Sequence, residues 1–277
     1  MTAITSRAGR PPTPPLRRVT HDGVALAFVE AGAGAPPVVL LHGLCDGLDV
    51  MAPLALGLAE GHRTISVDLR GHGASDAPAG DYSVETLAGD VVAVCDHLSI
   101  AGAIVVGHSL GGAVAVQVAA TRPDLAAAVI MLDGALLFRD EVVEGVAPLF
   151  DAVQSPAWRE AVRLFVDTSF IPTDDPEVRE AAHARADGMR QHVMAGIFDA
   201  AGRWDAVPAL RACGMPLLYI DSGANLADLD RLAALCPHVQ LGRTVGLGHL
   251  QMLASTAQVA AMIDQFVVTS PPDHAAA

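Results

Sequence analysis

Short apolar runs alternate with longer amphipathic segments over most of the chain. Each run has the length of a strand, and strands that are apolar throughout are typical of a parallel sheet covered by helices on both faces. This order predicts a doubly wound α/β fold with a mostly parallel sheet flanked by helices. The runs lie at 38–41, 64–67, 103–106, 127–132, 217–220 and 239–244, and the segments with helical periodicity at 50–59, 84–98, 110–121, 228–235 and 256–266.

The chain ahead of the first apolar run has a different pattern. Residues 19–28 alternate between apolar and polar side chains, and Asp22 and Gly23 interrupt the alternation. An Asp-Gly pair between two alternating segments favours a tight hairpin. We therefore predict an antiparallel hairpin at one edge of the sheet.

One interval, 134–209, contains several helix-like stretches and no convincing strand. It predicts an inserted helical cap, with the core of the domain formed by 19–133 and 210–269. A purely structural cap and a lid that gates a cleft both fit this pattern. The prolines expected to divide the cap into short helices are Pro148, Pro156, Pro172 and Pro176, and its apolar faces lie at 149–153, 161–165 and 193–198.

Composition narrows the class of protein. The 277 residues are 52% hydrophobic, enough for the core of one large domain. A formal net charge of -14, with no basic cluster beyond Arg17 and Arg18, argues against nucleic acid or an anionic membrane surface as a partner. The four cysteines show no Cys-x-x-Cys pair, which argues against a zinc site or a disulfide framework and fits the cytoplasm.

The two ends of the sequence lack the patterns of folded elements. Residues 1–18 combine arginines and prolines with no apolar stretch, so we expect a disordered arm rather than a secretory signal. We expect 270–277 to be disordered as well. No run approaches the roughly 20 apolar residues that a membrane span needs, so no membrane partner is expected.

The candidate chemistry begins at Gly-His-Ser-Leu-Gly, residues 107–111, which directly follow an apolar run and precede a helical segment. In a nucleophile elbow of this kind, Gly107 and Gly111 permit a tight strand-to-helix turn that exposes the hydroxyl of Ser109. The helix that follows places unpaired amides and a positive dipole end beside the serine oxygen. The pattern predicts that Ser109 is a nucleophile.

A serine nucleophile needs a base, a carboxylate and two donors for the oxyanion. His249 lies after the last strand run and before the last helix, where the loop edge carrying Ser109 should be, and is the predicted general base. The predicted oxyanion donors are the backbone amides of Leu110, directly after the nucleophile, and Leu44, in the turn after the first parallel strand. His42 and Gly43 are expected to shape that turn, with the His42 side chain buried and hydrogen-bonded.

Together these motifs resemble the α/β-hydrolase superfamily over about residues 19–268. A further match is the segment Asp68 to Ser75, which looks like the Asp-x-Arg-Gly-x-Gly-x-Ser loop of that superfamily. The resemblance implies an α/β-hydrolase fold with a helical cap at 134–209. It also implies a structural role for Asp68 and Arg70, which would tie the loop together.

The position of the acid departs from the commonest pattern of the superfamily. Many relatives carry a Gly-x-x-Asp turn after the strand equivalent to 217–220, but here Gly223 is followed three positions later by Leu226. A second arrangement, similar to that of some serine lactonases and cofactor-free oxygenases of this fold, places the acid one strand earlier. Asp133 stands at that place, directly after the run 127–132, and is the predicted acid, with Asp228 as the alternative.

The sequence leaves other interpretations of these aspartates open. Asp133 could cap the first helix of the cap, and Asp228 could be the acid if the loop after Gly223 is long. Asp228 could equally be the N-cap of the helix that follows it. Asp221 is a further candidate, and chain order does not decide because all three lie between serine and histidine.

We expect a serine hydrolase that cleaves a carboxylic ester or lactone through an acyl-enzyme, with no cofactor and no metal. The apolar cap and the lack of a basic cluster favour a small to medium, largely apolar substrate. One alternative is a cofactor-free oxygenase or C–C bond hydrolase that uses His249 and Asp133. Another is a non-enzymatic ligand receptor on the same fold. The sequence carries no signal for the oligomeric state.

Overall fold

The computed structural model describes residues 14–270, which form an 8-stranded sheet in the order β1-β2-β4-β3-β5-β6-β7-β8. The β1–β2 and β2–β4 pairs are antiparallel and the other pairs are parallel. The predicted doubly wound α/β fold is therefore confirmed. The strands are β1 (Leu16–His21), β2 (Val24–Ala31), β3 (Val38–Leu41), β4 (Thr64–Val67), β5 (Ala103–His108), β6 (Ala126–Leu132), β7 (Leu217–Asp221) and β8 (Val239–Arg243).

Helices cover both faces of the sheet and bury two apolar clusters. In β3, Val38 and Leu40 belong to the cluster under α1 and α11, whereas Val39 and Leu41 belong to the cluster under α2 and α3. This alternation is the two-residue period of a strand buried on both faces. The helices are α1 (Leu48–Leu58), α2 (Val84–His97), α3 (Leu110–Thr121), α4 (Asp140–Ala152), α5 (Trp158–Asp167), α6 (Pro176–Gly188), α7 (Gln191–Ala201), α8 (Ala206–Ala212), α9 (Leu229–Leu235), α10 (Gln251–Ala254) and α11 (Thr256–Thr269).

The first hairpin forms where the alternating pattern predicts it. Asp22 and Gly23 both have positive φ, 48° and 79°, which matches the backbone that a two-residue hairpin turn requires. Strand β1 begins at Leu16, so the expected disordered arm is wrong for 16–18, whose backbone pairs with β2. At the other end, the backbone amide of Ser270 donates a hydrogen bond to Phe266 O and caps α11, so the expected disorder is wrong for Ser270 as well. Residues 1–13 and 271–277 lie outside the described part.

The chain between β6 and β7 forms the helical insertion α4–α8. Pro156, Pro172 and Pro176 stand between helices or at a first turn, as expected, but Pro148 lies inside α4 and does not divide it. Pro148 and Glu144 are both exposed, so the carbonyl that loses its amide donor is open to water. The limits 134–209 for a cap unit remain a proposal.

Two further features of the described residues are the state of the cysteines and the length of the helices. Cys45, Cys95, Cys213 and Cys236 are all free thiols and all buried. None of the helices formed by residues 14–270 is long and apolar enough to span a membrane.

Candidate active site

Ser109 occupies a sharp turn between β5 and α3. Its backbone has φ 50° and ψ -116°, a conformation rarely adopted by non-glycine residues, and α3 begins at the next residue. A Cβ on Gly107 would lie 2.1 Å from the carbonyl oxygen of Gly111, and a Cβ on Gly111 would lie 2.5 Å from that of Leu41. Side chains at these two positions would prevent the turn, which explains why the motif has glycine at both.

His249 lies on the loop between β8 and α10 and is held from two sides. Its Nδ1 donates to Asp133 Oδ2 at 3.1 Å, and its backbone amide donates to Ser169 O at 3.1 Å. Because Nδ1 is used for the carboxylate, Nε2 is the ring nitrogen available to the pocket. Ser109 and His249 line the same pocket, so one imidazole and one hydroxyl face a common space.

Asp133 stands directly after β6, with a positive φ of 45° and a carboxylate that is 1% exposed. Besides His249, it accepts hydrogen bonds from the amide and the hydroxyl of Ser222, at 2.8 and 2.5 Å. Such donors offset the free-energy cost of burying a carboxylate. Ser222 is a residue that sequence reasoning missed, since nothing in the chain before it marks it as a partner of Asp133.

The two competing acids have other partners. Asp228 Oδ1 accepts from the amide of Arg231 at 2.9 Å, which is the N-cap bond of α9. Asp221 accepts from the amide of Gly223 at 3.0 Å and pairs with Arg243 at 2.5 Å. Among the three candidates, the carboxylate that contacts the imidazole is that of Asp133. Its catalytic role stays a prediction.

Both predicted oxyanion donors are free to bind a ligand. Within residues 14–270, the backbone amides of Leu44 and Leu110 donate no hydrogen bond to a protein acceptor. Both residues line the same cavity as Ser109. Two unpaired amides beside a nucleophile can stabilise the negative charge of a tetrahedral intermediate.

His108, the neighbour of the nucleophile, packs under the ring of His249. Their ring centroids are 4.4 Å apart, and His108 Nε2 donates to the backbone carbonyl of His249 at 3.0 Å. Complete burial lowers the pKa of His108 well below its ordinary value, so the ring is neutral. His108 lies inside the predicted elbow motif, but no pattern in the sequence indicates its contact with His249.

A second missed residue, Asp46, lies two positions after Leu44 in the turn beyond β3. Its carboxylate is buried, 3.5 Å from Nε of Arg185 on α6 and 3.7 Å from Nδ1 of His108. Burial raises the pKa of Asp46 to about 6, with Arg185 opposing the shift. Arg185 of the insertion therefore pairs with a carboxylate that lines the pocket.

The structural motifs hold the loops around the site. His42 is fully buried; its Nδ1 donates to Gly43 O at 2.7 Å and its Nε2 accepts from the amide of Leu69 at 3.1 Å. Burial lowers the pKa of His42 to about 4, so the ring is neutral and holds the two loops together through its hydrogen bonds. This is the buried, hydrogen-bonded arrangement expected for the His42 side chain.

The loop after β4 depends on Asp68 and Arg70 in different ways. Asp68 accepts from the amides of Leu48 and Ala74 at 2.7 and 2.8 Å, so it ties its own loop to the start of α1. Arg70 instead binds Asp90 of α2 through Nε and Nη2, at 2.5 and 2.7 Å. The resemblance implied that both residues close the loop; here Arg70 fastens the loop to α2.

No group of three His, Cys, Asp or Glu side chains in the described part of the chain is arranged to hold a metal ion. The chemistry that the arrangement can perform is proton transfer and nucleophilic attack by its own side chains. Ser109, His249 and Asp46 line one pocket, and residues of the insertion form its other side.

Comparison with known proteins places this chain among relatives with the same fold. The family model for the alpha/beta hydrolase fold matches residues 36–169. A 2-(acetamidomethylene)succinate hydrolase of Mesorhizobium japonicum is 30% identical over 253 residues, which cover 80% of this chain and 85% of the relative.

Solved structures show the same architecture over nearly the whole chain. The enol-lactonase of Burkholderia xenovorans superposes with a TM-score of 0.81 at 24% identity and covers 91% of this chain and 100% of its own. Est816, an N-acyl homoserine lactone degrading enzyme, superposes with a TM-score of 0.79 at 25% identity and covers the same shares.

Proposed function

The chain belongs to the α/β-hydrolase fold family, and on that premise we propose that it cleaves a carboxylic ester or lactone through an acyl-enzyme formed on Ser109. The observation that carries the proposal is the hydrogen bond from His249 to Asp133 beside a serine held at positive φ in the same pocket. A base oriented by a buried carboxylate and a nucleophile on an elbow are the parts that acyl transfer requires.

The first half of the proposed reaction forms the acyl-enzyme. His249 Nε2 takes the proton of Ser109 as the serine oxygen attacks the carbonyl carbon, and the carbonyl π electrons move to the oxygen. The amides of Leu44 and Leu110 donate to this oxyanion. The intermediate then collapses, the bond to the leaving oxygen breaks, and the imidazolium returns its proton to that oxygen.

The second half releases the acid. A water molecule gives a proton to His249 as it attacks the acyl carbon, and Ser109 leaves with the proton back on its oxygen. Asp133 stabilises the imidazolium in both halves and fixes the tautomer in which Nδ1 carries a hydrogen. No oxidant or metal is needed for this cycle.

Apolar surroundings support an ester or lactone that is itself largely apolar. The pocket beside Ser109 is lined by Phe165, Val166 and Phe170 of the insertion. Two of the compared enzymes act on lactones by their names. Cleavage of an ester or a lactone begins with the same attack on a carbonyl carbon, so both substrates fit the proposal.

A fluorophosphonate probe tests the proposal, because it phosphonylates only an activated serine. We expect the wild-type protein to be labelled, Ser109→Ala to lose labelling, and Asp133→Asn to be labelled much more slowly. Ser169→Ala is the matched control, since Ser169 lines the same pocket without belonging to the proposed triad. Equal labelling of the wild type and Ser109→Ala would overturn the serine mechanism, and oxygen consumption during turnover would favour the oxygenase alternative.

A further inference from the structure

Two cavities of very different size meet at the nucleophile. One has a volume of about 30 Å³, and the other about 920 Å³. Ser109, His249 and Leu44 line both of them. A substrate whose carbonyl lies at Ser109 therefore has room for a small group on one side and a large group on the other.

The large cavity has an apolar wall that residues 14–270 cover only in part: Leu149 and Phe150 pack against the core, and the rest of the wall is open. Helix α4 contributes Val142, Val143, Val146, Leu149 and Phe150 to this wall, yet no residue of α4 is buried. An amphipathic helix ordinarily buries its apolar face. The part of this face formed by Val142, Val143 and Val146 is instead left against the cavity.

Exposed apolar side chains gather at the same place. Phe138, Val143 and Leu164, with 36%, 49% and 61% exposure, are among the large apolar residues that the described structure leaves open, and all three line the large cavity. A contiguous exposed apolar surface of this kind marks a binding site. Since the cavity continues to Ser109, the occupant that fits is part of the substrate.

The charged side chains in each cavity indicate which kind of substrate group it can bind. The lining of the large cavity contains the imidazole of His249 and two charged side chains, Asp205 and Arg231, and is otherwise aliphatic and aromatic with a few hydroxyls. The small cavity holds the buried carboxylate of Asp46. A neutral apolar chain suits the first cavity, and a small uncharged group suits the second, because an anion there would face Asp46.

We propose that the substrate is an asymmetric neutral ester or lactone, with one long apolar group that lies against α4 in the large cavity and one small group in the small cavity. This inference rests on the proposed hydrolase function and adds the substrate class to it. The apolar face of α4 is then completed by the substrate rather than by the protein.

Two matched series of esters test the asymmetry on the wild-type protein. In the first, the acyl chain of methyl esters grows from acetate to dodecanoate; in the second, the alcohol of acetate esters grows over the same range. In one series we expect kcat/KM to rise by up to about fourfold for each methylene until the cavity is filled. In the other we expect it to fall once the chain exceeds the small cavity.

A pair of variants on adjacent residues of α4 tests the wall itself. Val146→Asp places a charge in the cavity lining, and Ala147→Asp places the same charge on an exposed position of α4 outside that lining. We expect Val146→Asp to lower kcat/KM for the longest favoured ester by about tenfold or more and to leave the shortest ester within about twofold. Ala147→Asp should behave as the wild type with both esters.

The outcomes separate this inference from the function on which it rests. If both series fall, rise together or stay flat with chain length, the asymmetric substrate is wrong while the hydrolase proposal stands. If the wild type hydrolyses no ester and its Ser109 is not labelled, both proposals are wrong. The chain-length series uses only the wild-type protein, so it tests the inference even if Val146→Asp fails to fold.

Discussion

The end of β6 and helix α4 differ in how their side chains are buried and hydrogen-bonded, although few residues separate them. The carboxylate of Asp133 has a donor at each oxygen and is almost completely buried, whereas α4 contains no buried residue. The proposed chemistry uses the rigid region, where proton transfer requires fixed distances. The proposed substrate binding uses the open region, where an apolar wall can accept chains of different length.

The strongest test of this comparison is Asp133→Asn. The amide keeps the size of the carboxylate but can neither select the tautomer of His249 nor stabilise the imidazolium. We expect kcat for a short p-nitrophenyl ester to fall by on the order of 10⁴. Asp228→Asn is the matched control and should stay within about twofold, because Asp228 bonds to the backbone of α9. A large loss in Asp228→Asn and none in Asp133→Asn would reverse the assignment of the acid.

The difference between the buried core and the exposed insertion also explains which elements could be predicted from the sequence. The runs 38–41 and 64–67 coincide with β3 and β4, because a continuous apolar run bounded by turns has few other ways to be buried. Leu110–Thr121 was also predicted with its observed limits, since the elbow fixes where α3 begins. In the core, burial and local geometry agree.

The helix limits inside the insertion and the choice among the candidate acids could not be predicted from local pattern in this way. Pro148 does not end α4, because the helix is exposed and water can satisfy the freed carbonyl. The acid depended on contacts between distant segments: Ser222 and His249 meet Asp133 only in the folded chain. Asp46 and His108 likewise appear as partners only when α6 and the His249 loop are in place.

The next largest expected effect compares glycines of the two regions. Gly107→Ala in β5 would force a Cβ to within 2.1 Å of the backbone of Gly111, and we expect a loss of about 3 kcal/mol or more in the free energy of unfolding. Gly145→Ala in α4 meets no atom within 4 Å and should stabilise the protein by about 0.5–1 kcal/mol. Urea denaturation of both variants measures the difference, and equal effects would contradict it.

A smaller effect concerns the buried neutral histidines of the core. Burial lowers the pKa of His72 from 6.5 to about 3, so the unfolded chain binds a proton before the folded one does. The contribution to stability is complete above pH 6.5 and is lost as pH falls toward about 3.

The variant His72→Gln isolates this proton. Between pH 6.5 and about 5, we expect the free energy of unfolding of the wild type to fall by about 2 kcal/mol more than that of His72→Gln. Contributions from His42 and His108 have the same direction in both proteins and cancel in the comparison. Parallel pH profiles for the two proteins would show that His72 is not held neutral by burial.

The smallest expected effect tests whether the carboxylate of the rigid region needs all of its donors. Ser222→Ala removes the hydroxyl that donates to Asp133 Oδ2 at 2.5 Å and keeps the amide that donates to Oδ1. We expect kcat to fall by about tenfold, which corresponds to the roughly 1.5 kcal/mol of one hydrogen bond to a charged group. Ser222→Thr retains a hydroxyl and should restore most of the rate, whereas a role in packing alone would leave Thr as impaired as Ala. Rescue by threonine would therefore mean that the proposed triad depends on a fourth side chain, contributed by the loop after β7 and held in the core rather than in the insertion.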